Sequence, residues 1–416
     1  MNFFEMLKQQ DGKKLALALE EKEYSYEQLV LLSEKKGKEI KEKYAGQPVV
    51  MIRENHILPQ LLSFLGCQAA GKIPLILPAD VTQLPEIPQV PPEACMAVMT
   101  SGSTGEPKVL FRKYESWADF FSTQNRIFGV TSHSRMFAQG SLAFTGNLNL
   151  YMAQFFAGAA MIATNVFDPR KWAMLIRKYE TDLIYLIPRK LLLLPRCIPG
   201  EMPAVRHILA GSQSMGAREA GILKKSFPNA HILLYYGASE LNYITYLENE
   251  QMSDVKNCIG KPFPGVDVEV KDGEIFVTTP YHVENVTCPY SLKDMGHMDE
   301  NGYLFFDGRK DDIVNVRGRK VSLLRIENML EEMEFVKEAM AFPVEIQGEQ
   351  RVNVWITLWE EKSAKEEANI LLNIRQNLVS RLANYELPYQ CDIVSQLPHT
   401  ESGKKDRRAL EWRKSY

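Results

Sequence analysis

The chain has 416 residues, 45% hydrophobic and 24% charged, with a formal net charge of -3. This length exceeds one ordinary core, so a large domain plus a small one is expected, and the near-neutral charge gives no reason for a nucleic-acid partner. No run reaches ~18 consecutive apolar residues, MNFFEMLKQQDGKK has charged and polar residues where a signal peptide needs an apolar stretch, and the six cysteines form no CxxC pair. A reducing, cytoplasmic location without a transmembrane segment or structural zinc is expected.

From residue 1 to 95, amphipathic patterns such as YSYEQLVLLSEKKGKEIKEKY alternate with the short apolar runs PVVMI and KIPLILP, which predicts α/β layering. The Pro-rich QLPEIPQVPPEA (83–94) reads as a linker or an extended connection, since Pro removes ladder donors. Next comes TSGSTGEPK (100–108), in which glycines beside hydroxyls let backbone N–H groups converge on an anion while Lys108 adds a mobile charge. Lys108 follows Pro107, so the Walker pattern fails, and no GxGxxG is present. SGSTG (101–105) and SQSMG (212–216) both lack the first Gly of a nucleophile elbow, which leaves a serine hydrolase weakly supported.

Between 136 and 240 the runs MFAQGSLAF, AAMIATNVF, TDLIYLI, RHILAGS and HILLYYG alternate with helical segments and predict parallel strands with crossovers. LIYLIPRKLLLLP (183–195), broken by Pro188, Arg189 and Lys190, reads as buried core. From 260 the texture becomes antiparallel, with a turn at Lys271-Asp272-Gly273. After GRKDD (308–312) a smaller unit follows: the helical RIENMLEEM, the β-rich VNVWITLW and the charged helix SAKEEANILLNIRQNLVSRL. The expected domains are 1–310 and 311–416.

Four stretches in this order, TSGSTGEPK, LLYYGASE (233–240), KDMGHMDENGYLFFDGRKDDIVNVRGRK (293–320) and LPHTESGKKDRRAL (397–410), resemble the ATP-dependent adenylate-forming superfamily of acyl-CoA synthetases, aryl-CoA ligases and peptide-synthetase adenylation domains. The resemblance implies a large amino-terminal domain of layered α/β sheets with a distorted β-barrel-like part, and a small mobile α+β carboxy-terminal domain. It also implies site residues. Thr100, Ser101, Gly102, Ser103, Thr104, Gly105 and Lys108 would grip the β and γ phosphates of ATP, with Glu240 and Thr104 toward Mg²⁺. Ser239, where relatives commonly have Thr, would donate to the α-phosphate; Tyr236 would lie against adenine, with Tyr235 and Gly237 beside it and Gly211, Ser212 and Gln213 along the ring's edge. Asp294 and Arg309 would bind the ribose hydroxyls, although SLKD replaces the usual TGD before that acid. Lys404 matches the catalytic lysine that bridges substrate carboxylate and α-phosphate, with Lys405 as its neighbouring competitor.

In this family the carboxy-terminal domain rotates between two half-reactions. Asp311 matches the hinge, with Asp312 the alternative one residue on; Gly318 would line the pantetheine tunnel and Lys320 stands where relatives often have a phosphate-reaching Arg. GSLAFTGNLNLYMAQFFAGA (140–159) aligns with the acid pocket, placing Phe144 at a frequent His position and Thr145 where amino-acid-activating domains carry Asp. Without that carboxylate an α-ammonium loses its partner, so the resemblance implies a fatty or aryl acid rather than an amino acid. The acceptor thiol is coenzyme A or, alternatively, the phosphopantetheine of an acyl carrier protein. A non-catalytic nucleotide-binding regulator is a further alternative.

Overall fold

Short apolar runs separated by amphipathic stretches resolve into three larger sheets, a small hairpin and ten helices among the described residues. A computed structural model describes the chain except residues 80, 82, 101–107, 254–256, 347, 361, 400–404 and 408–416, and gives the backbone alone at 311 and 320. Two units are distinguished: Met1–Gln251 with Pro262–Asp267 and Val277–Tyr290, and Met252–Lys261 with Val268–Phe276 and Ser291–Tyr416.

In the first unit α1 (Phe3–Lys8) precedes β1 (Leu15–Leu19), β2 (Lys22–Ser25) and α2 (Tyr26–Lys43), which opens on a reciprocal capping box between Ser25 and Gln28. β3 (Val49–Ile52), α3 (Ile57–Ala69), β4 (Ile73–Ile76), β5 (Met96–Thr100) and β6 (Lys108–Arg112) follow. The larger layer then alternates α4 (Glu115–Phe128), β7 (Arg135–Gln139), α5 (Thr145–Phe156), β8 (Ala160–Thr164), α6 (Pro169–Lys178), β9 (Leu183–Tyr185), α7 (Pro188–Leu191), β10 (His207–Gly211), α8 (Ala217–Ser226), β11 (His231–Ala238) and β12 (Asn242–Glu248).

Within this unit β12-β11-β10-β9-β7-β8-β1-β2 form one sheet. β11 through β1 pair in parallel, β12 pairs antiparallel with β11, and β2 pairs antiparallel with β1. β8 and β9 are buried at every residue, as parallel strands covered on both faces require. β7 stops at Gln139 because Gly140 takes a φ of 137°, which turns MFAQGSLAF from strand into the loop before α5. Pro188 ends the β9 run and opens α7, and Leu186, Leu191 and Leu194 are buried, so this apolar stretch is core. β3-β4-β5 pair in parallel, with β6 returning antiparallel on β5.

The second unit begins with the sheet β14 (Asp267–Lys271), β15 (Glu274–Thr278), β16 (Asp294–Met298), β17 (Leu304–Arg309) and β13 (Cys258–Pro262), in that spatial order. Asp272 and Gly273, with φ of 53° and 79°, make the expected tight turn. β18 (Ile313–Val316) and β19 (Arg319–Ser322) form the hairpin, and α9 (Leu323–Glu331), β20 (Val336–Ile346), β21 (Glu349–Leu358), α10 (Ala364–Arg381) and β22 (Gln390–Ile393) complete the unit. Val314, Val321, Ile326, Leu330, Val354 and Ile374 share its core. Among the described residues no helix is long and apolar enough to cross a membrane.

Candidate active site

Functional groups in an open α/β sheet collect beyond the carboxyl ends of parallel strands, and the first unit follows this rule. β7, β9, β10 and β11 end at Gln139, Tyr185, Gly211 and Ala238, and the segments leaving β7, β10 and β11 carry Phe144, Thr145, Ser212, Gln213, Ser239 and Glu240. Ser239 Oγ donates to Thr145 Oγ1 at 2.9 Å, so the residues read as facing the α-phosphate and the acid touch. Thr145 opens α5 with Phe144 as its N-cap, 38% exposed. The amino end of that helix offers unpaired backbone N–H groups and the positive end of the helix dipole, an environment that favours a carboxylate.

Glu240 is half-buried, and its carbonyl oxygen accepts from Val283 N at 2.8 Å. Beneath it lies a residue that the sequence reading missed. Arg112, the last of β6, is fully buried; Nη2 donates to Ser239 O at 2.6 Å, Nη1 to Tyr281 O at 2.9 Å and to Ser116 Oγ at 3.2 Å. Burial pulls its pKa down to about 9, opposed by the Glu240 carboxylate. The signal was a charged residue closing the apolar strand VLF, which no motif covers.

Thr100 and Lys108 are the last paired residues of the β5–β6 hairpin, and Lys108 is exposed. Ser101, Gly102, Ser103, Thr104 and Gly105 lie outside the described residues, as does Lys404. Gly211 ends β10, Ser212 holds a φ of 66°, a left-handed conformation uncommon for a residue with a side chain, and Gln213 Oε1 accepts from Arg189 N at 3.2 Å. Tyr236 is half-buried, and Gly237 sits at a register shift where a Cβ would stand 2.6 Å from Asn242 O. Tyr235 faces the other way. Alternation along β11 sends its ring to the face opposite Tyr236, where it is 8% exposed and its hydroxyl meets Tyr185 Oη at 2.9 Å.

In the second unit Asp294 and Arg309 face each other in the β16–β17 register, with Arg309 Nε 3.5 Å from Asp294 Oδ1. Next to them Glu274 receives Ser291 Oγ at 2.6 Å, Lys310 Nζ at 3.0 Å and Lys293 Nζ at 3.3 Å. These donors, Ser291 foremost and then Lys310, hold its carboxyl down at about 2. Asp311 lies in the 3-10 turn Lys310–Asp312 between β17 and β18, whereas Asp312 holds Arg407 Nη1 at 3.1 Å. Lys320 pairs with Asn315 in the β18–β19 hairpin, whose turn is Arg317-Gly318 with φ of 52° and 79°. Beside that turn Arg317, Arg319, Arg351, Asn384 and Tyr385 line a cleft of about 320 Å³, and Arg317 and Arg351 share Glu349.

Lys405 is committed elsewhere. Its Nζ donates to Glu331 at 2.8 Å and Glu327 at 3.0 Å on α9. Burial alone would lower its pKa, but the carboxylates of Glu331 and Glu327 outweigh it and keep the ammonium charged above its ordinary range.

The family described as AMP-binding enzyme matches residues 77–281, and the AMP-binding enzyme C-terminal domain matches 325–404. The chain belongs to the adenylate-forming superfamily. It is an AMP-forming acid–thiol ligase of the acyl-CoA synthetase kind. An uncharacterized acyl–CoA ligase of Bacillus subtilis is 26% identical over 347 residues, 78% of this chain and 70% of its own length. A 3,4-dihydroxybenzoate–[aryl-carrier protein] ligase of Bacillus anthracis is 24% identical over 349 residues, 80% of this chain and 77% of its own. ATP-bound MatB from Rhodopseudomonas palustris shares the fold, with a TM-score of 0.87 at 19% identity over 100% of this chain and 99% of that one.

Proposed function

We propose that this adenylate-forming enzyme activates a carboxylic acid without an α-ammonium group and passes the acyl group to coenzyme A. A carboxylate oxygen attacks the α-phosphorus of ATP, the bond to the bridging oxygen breaks and pyrophosphate leaves. The thiol sulfur then attacks the acyl carbon, AMP departs and the thiol proton goes to solvent. The contact between Ser239 and Thr145 carries this reading, because it sets a phosphate-facing hydroxyl against the helix start where a carboxylate is favoured. Thr145, in place of an acid, gives an amino group no charge partner.

Glu240 supplies the oxygen donor that Mg²⁺ takes, and bound Mg²⁺ would neutralise phosphate charge. Asp294 and Arg309 are the proposed ribose ligands, Tyr236 with Gly211, Ser212, Gln213 and Gly237 the adenine site, and Asp311 the hinge between domains 1–310 and 311–416. Ser101 to Gly105 with Thr100 and Lys108 are the proposed pyrophosphate grip. Lys404 is the proposed catalytic cation, because Lys405 is held by two carboxylates. Lys320 is a proposed phosphate contact, and a cytoplasmic setting fits all of these substrates.

Three arginines beside Gly318 favour a thiol substrate with several phosphates, which supports coenzyme A. The carrier-protein reading draws support from the aryl-carrier protein ligase among the relatives. ATP–pyrophosphate exchange over a panel of carboxylic acids tests the first half-reaction. Exchange with no acid would end the proposal, and assaying thioester formation with free coenzyme A and then with a holo carrier protein decides the thiol.

A further inference from the structure

We propose that Tyr235 and Tyr185 form a fixed floor directly below the start of α5, restricting the enzyme to short-chain acids and excluding long-chain fatty and aryl acids. The inference rests on the reading above that the start of α5, at Thr145, borders the acid site.

The floor is defined by what surrounds Gly146, the half-buried second residue of α5. A Cβ built there would stand 3.1 Å from Tyr235 Oη and 3.2 Å from Tyr185 Oη, so the two hydroxyls lie immediately under the helix start. They are joined to each other at 2.9 Å, and the rings stack with centroids 6.2 Å apart at 22°. The Tyr235 ring has no room to withdraw. On the β10 side a Cβ at Gly211 would fall 2.4 Å from Tyr235 Cζ, so the ring occupies space that only glycine leaves open. Behind it Tyr243 packs edge-on at 4.7 Å and Phe128 lies at 6.1 Å, and both are buried. A long acyl chain or an aryl ring entering past Thr145 would have to displace an aromatic side chain from a close-packed interior.

The floor also has a chemical character. Burial pushes both phenols up, so they stay neutral hydrogen-bonding groups at physiological pH. One hydroxyl proton is used between the pair and the other remains to be donated.

The test is pyrophosphate exchange with acetate, propionate, butyrate, octanoate and benzoate for the full chain, for Tyr235→Ala and for Tyr235→Phe. Wild type is expected to use the short acids at least tenfold better in kcat/KM than octanoate or benzoate. Tyr235→Ala, with a ring-sized space opened beside Tyr185 and Tyr243, should raise octanoate or benzoate at least tenfold relative to butyrate, while Tyr235→Phe keeps the short-acid profile. Wild-type preference for octanoate or benzoate overturns the floor whether or not Tyr235→Ala folds, and so does an unchanged profile in a folded Tyr235→Ala. Exchange with no acid at all is a separate result, which removes the adenylation reading itself.

Discussion

Arg112 Nη2 donates to the carbonyl oxygen of Ser239 at 2.6 Å, tying the end of the hairpin strand β6 to the loop that carries Ser239 and Glu240. The same guanidinium holds Tyr281 O, so a planar fork fixes two separate backbone segments at once. Arg112→Met should reduce pyrophosphate exchange by at least tenfold, about 1.4 kcal/mol of transition-state stabilisation, and raise the Mg²⁺ concentration for half-maximal rate. Arg112→Lys, which keeps the charge but not the fork, should fall between. A Mg²⁺ titration of Arg112→Met that matches wild type would show that the arginine only supports packing.

Adjacent lysines separate in the same way by stability. Glu327, 1% exposed in its side chain, faces both Lys405 and Arg407. Lys405→Met removes one of the two cations on Glu327 and leaves Arg407 as the other, so in denaturant unfolding it should cost less than the roughly 3–5 kcal/mol of an uncompensated buried charge. Lys404→Ala should leave stability unchanged and abolish exchange. The Lys405 contribution is fully present below the ordinary lysine value of 10.5 and is lost as pH rises through its higher folded value, so the gap between wild type and Lys405→Met should narrow only above that pH.

Glu274 predicts an acid limb. Its folded pKa of about 2 lies below the ordinary 4.5, so its stabilisation is present above pH 4.5 and is lost as pH falls toward 2. Thermal midpoints of wild type should drop through that window more steeply than those of Glu274→Gln. Parallel curves would count against the Ser291, Lys310 and Lys293 cluster as the cause.

Asp294 is nearly fully buried opposite Arg309. If its carboxylate receives the ribose hydroxyls, Asp294→Asn should raise KM for ATP by at least tenfold with a smaller change in kcat, and 2′,3′-dideoxy-ATP should erase the difference between the two proteins. A residual gap with that analogue would mean that Asp294 serves Arg309 and the strand pair instead.

Much of this was legible in the sequence, for identifiable reasons. Periodicity marked α2 and α10 because each opens with a serine capping box and keeps an amphipathic pattern to its end. The β7 boundary was lost because MFAQGSLAF stays apolar through the glycine that ends the strand. Motifs brought out Ser239, Glu240, Asp294 and Arg309, whose neighbours in sequence carry the pattern. They could not bring out Arg112 or Tyr185, which act through contacts 127 and 50 positions away. A motif also names Tyr235 and Tyr236 together without saying that the strand turns them to opposite faces.

The tip of the β18–β19 hairpin carries one further implication. Gly318 holds a φ of 79°, and a Cβ there would meet nothing within 4 Å. Backbone conformation alone therefore calls for glycine, before any thiol substrate passes. Two demands, one from the chain's own bend and one from its proposed traffic, fall on a single position. Asparagine, which tolerates the left-handed region, satisfies the first and fails the second.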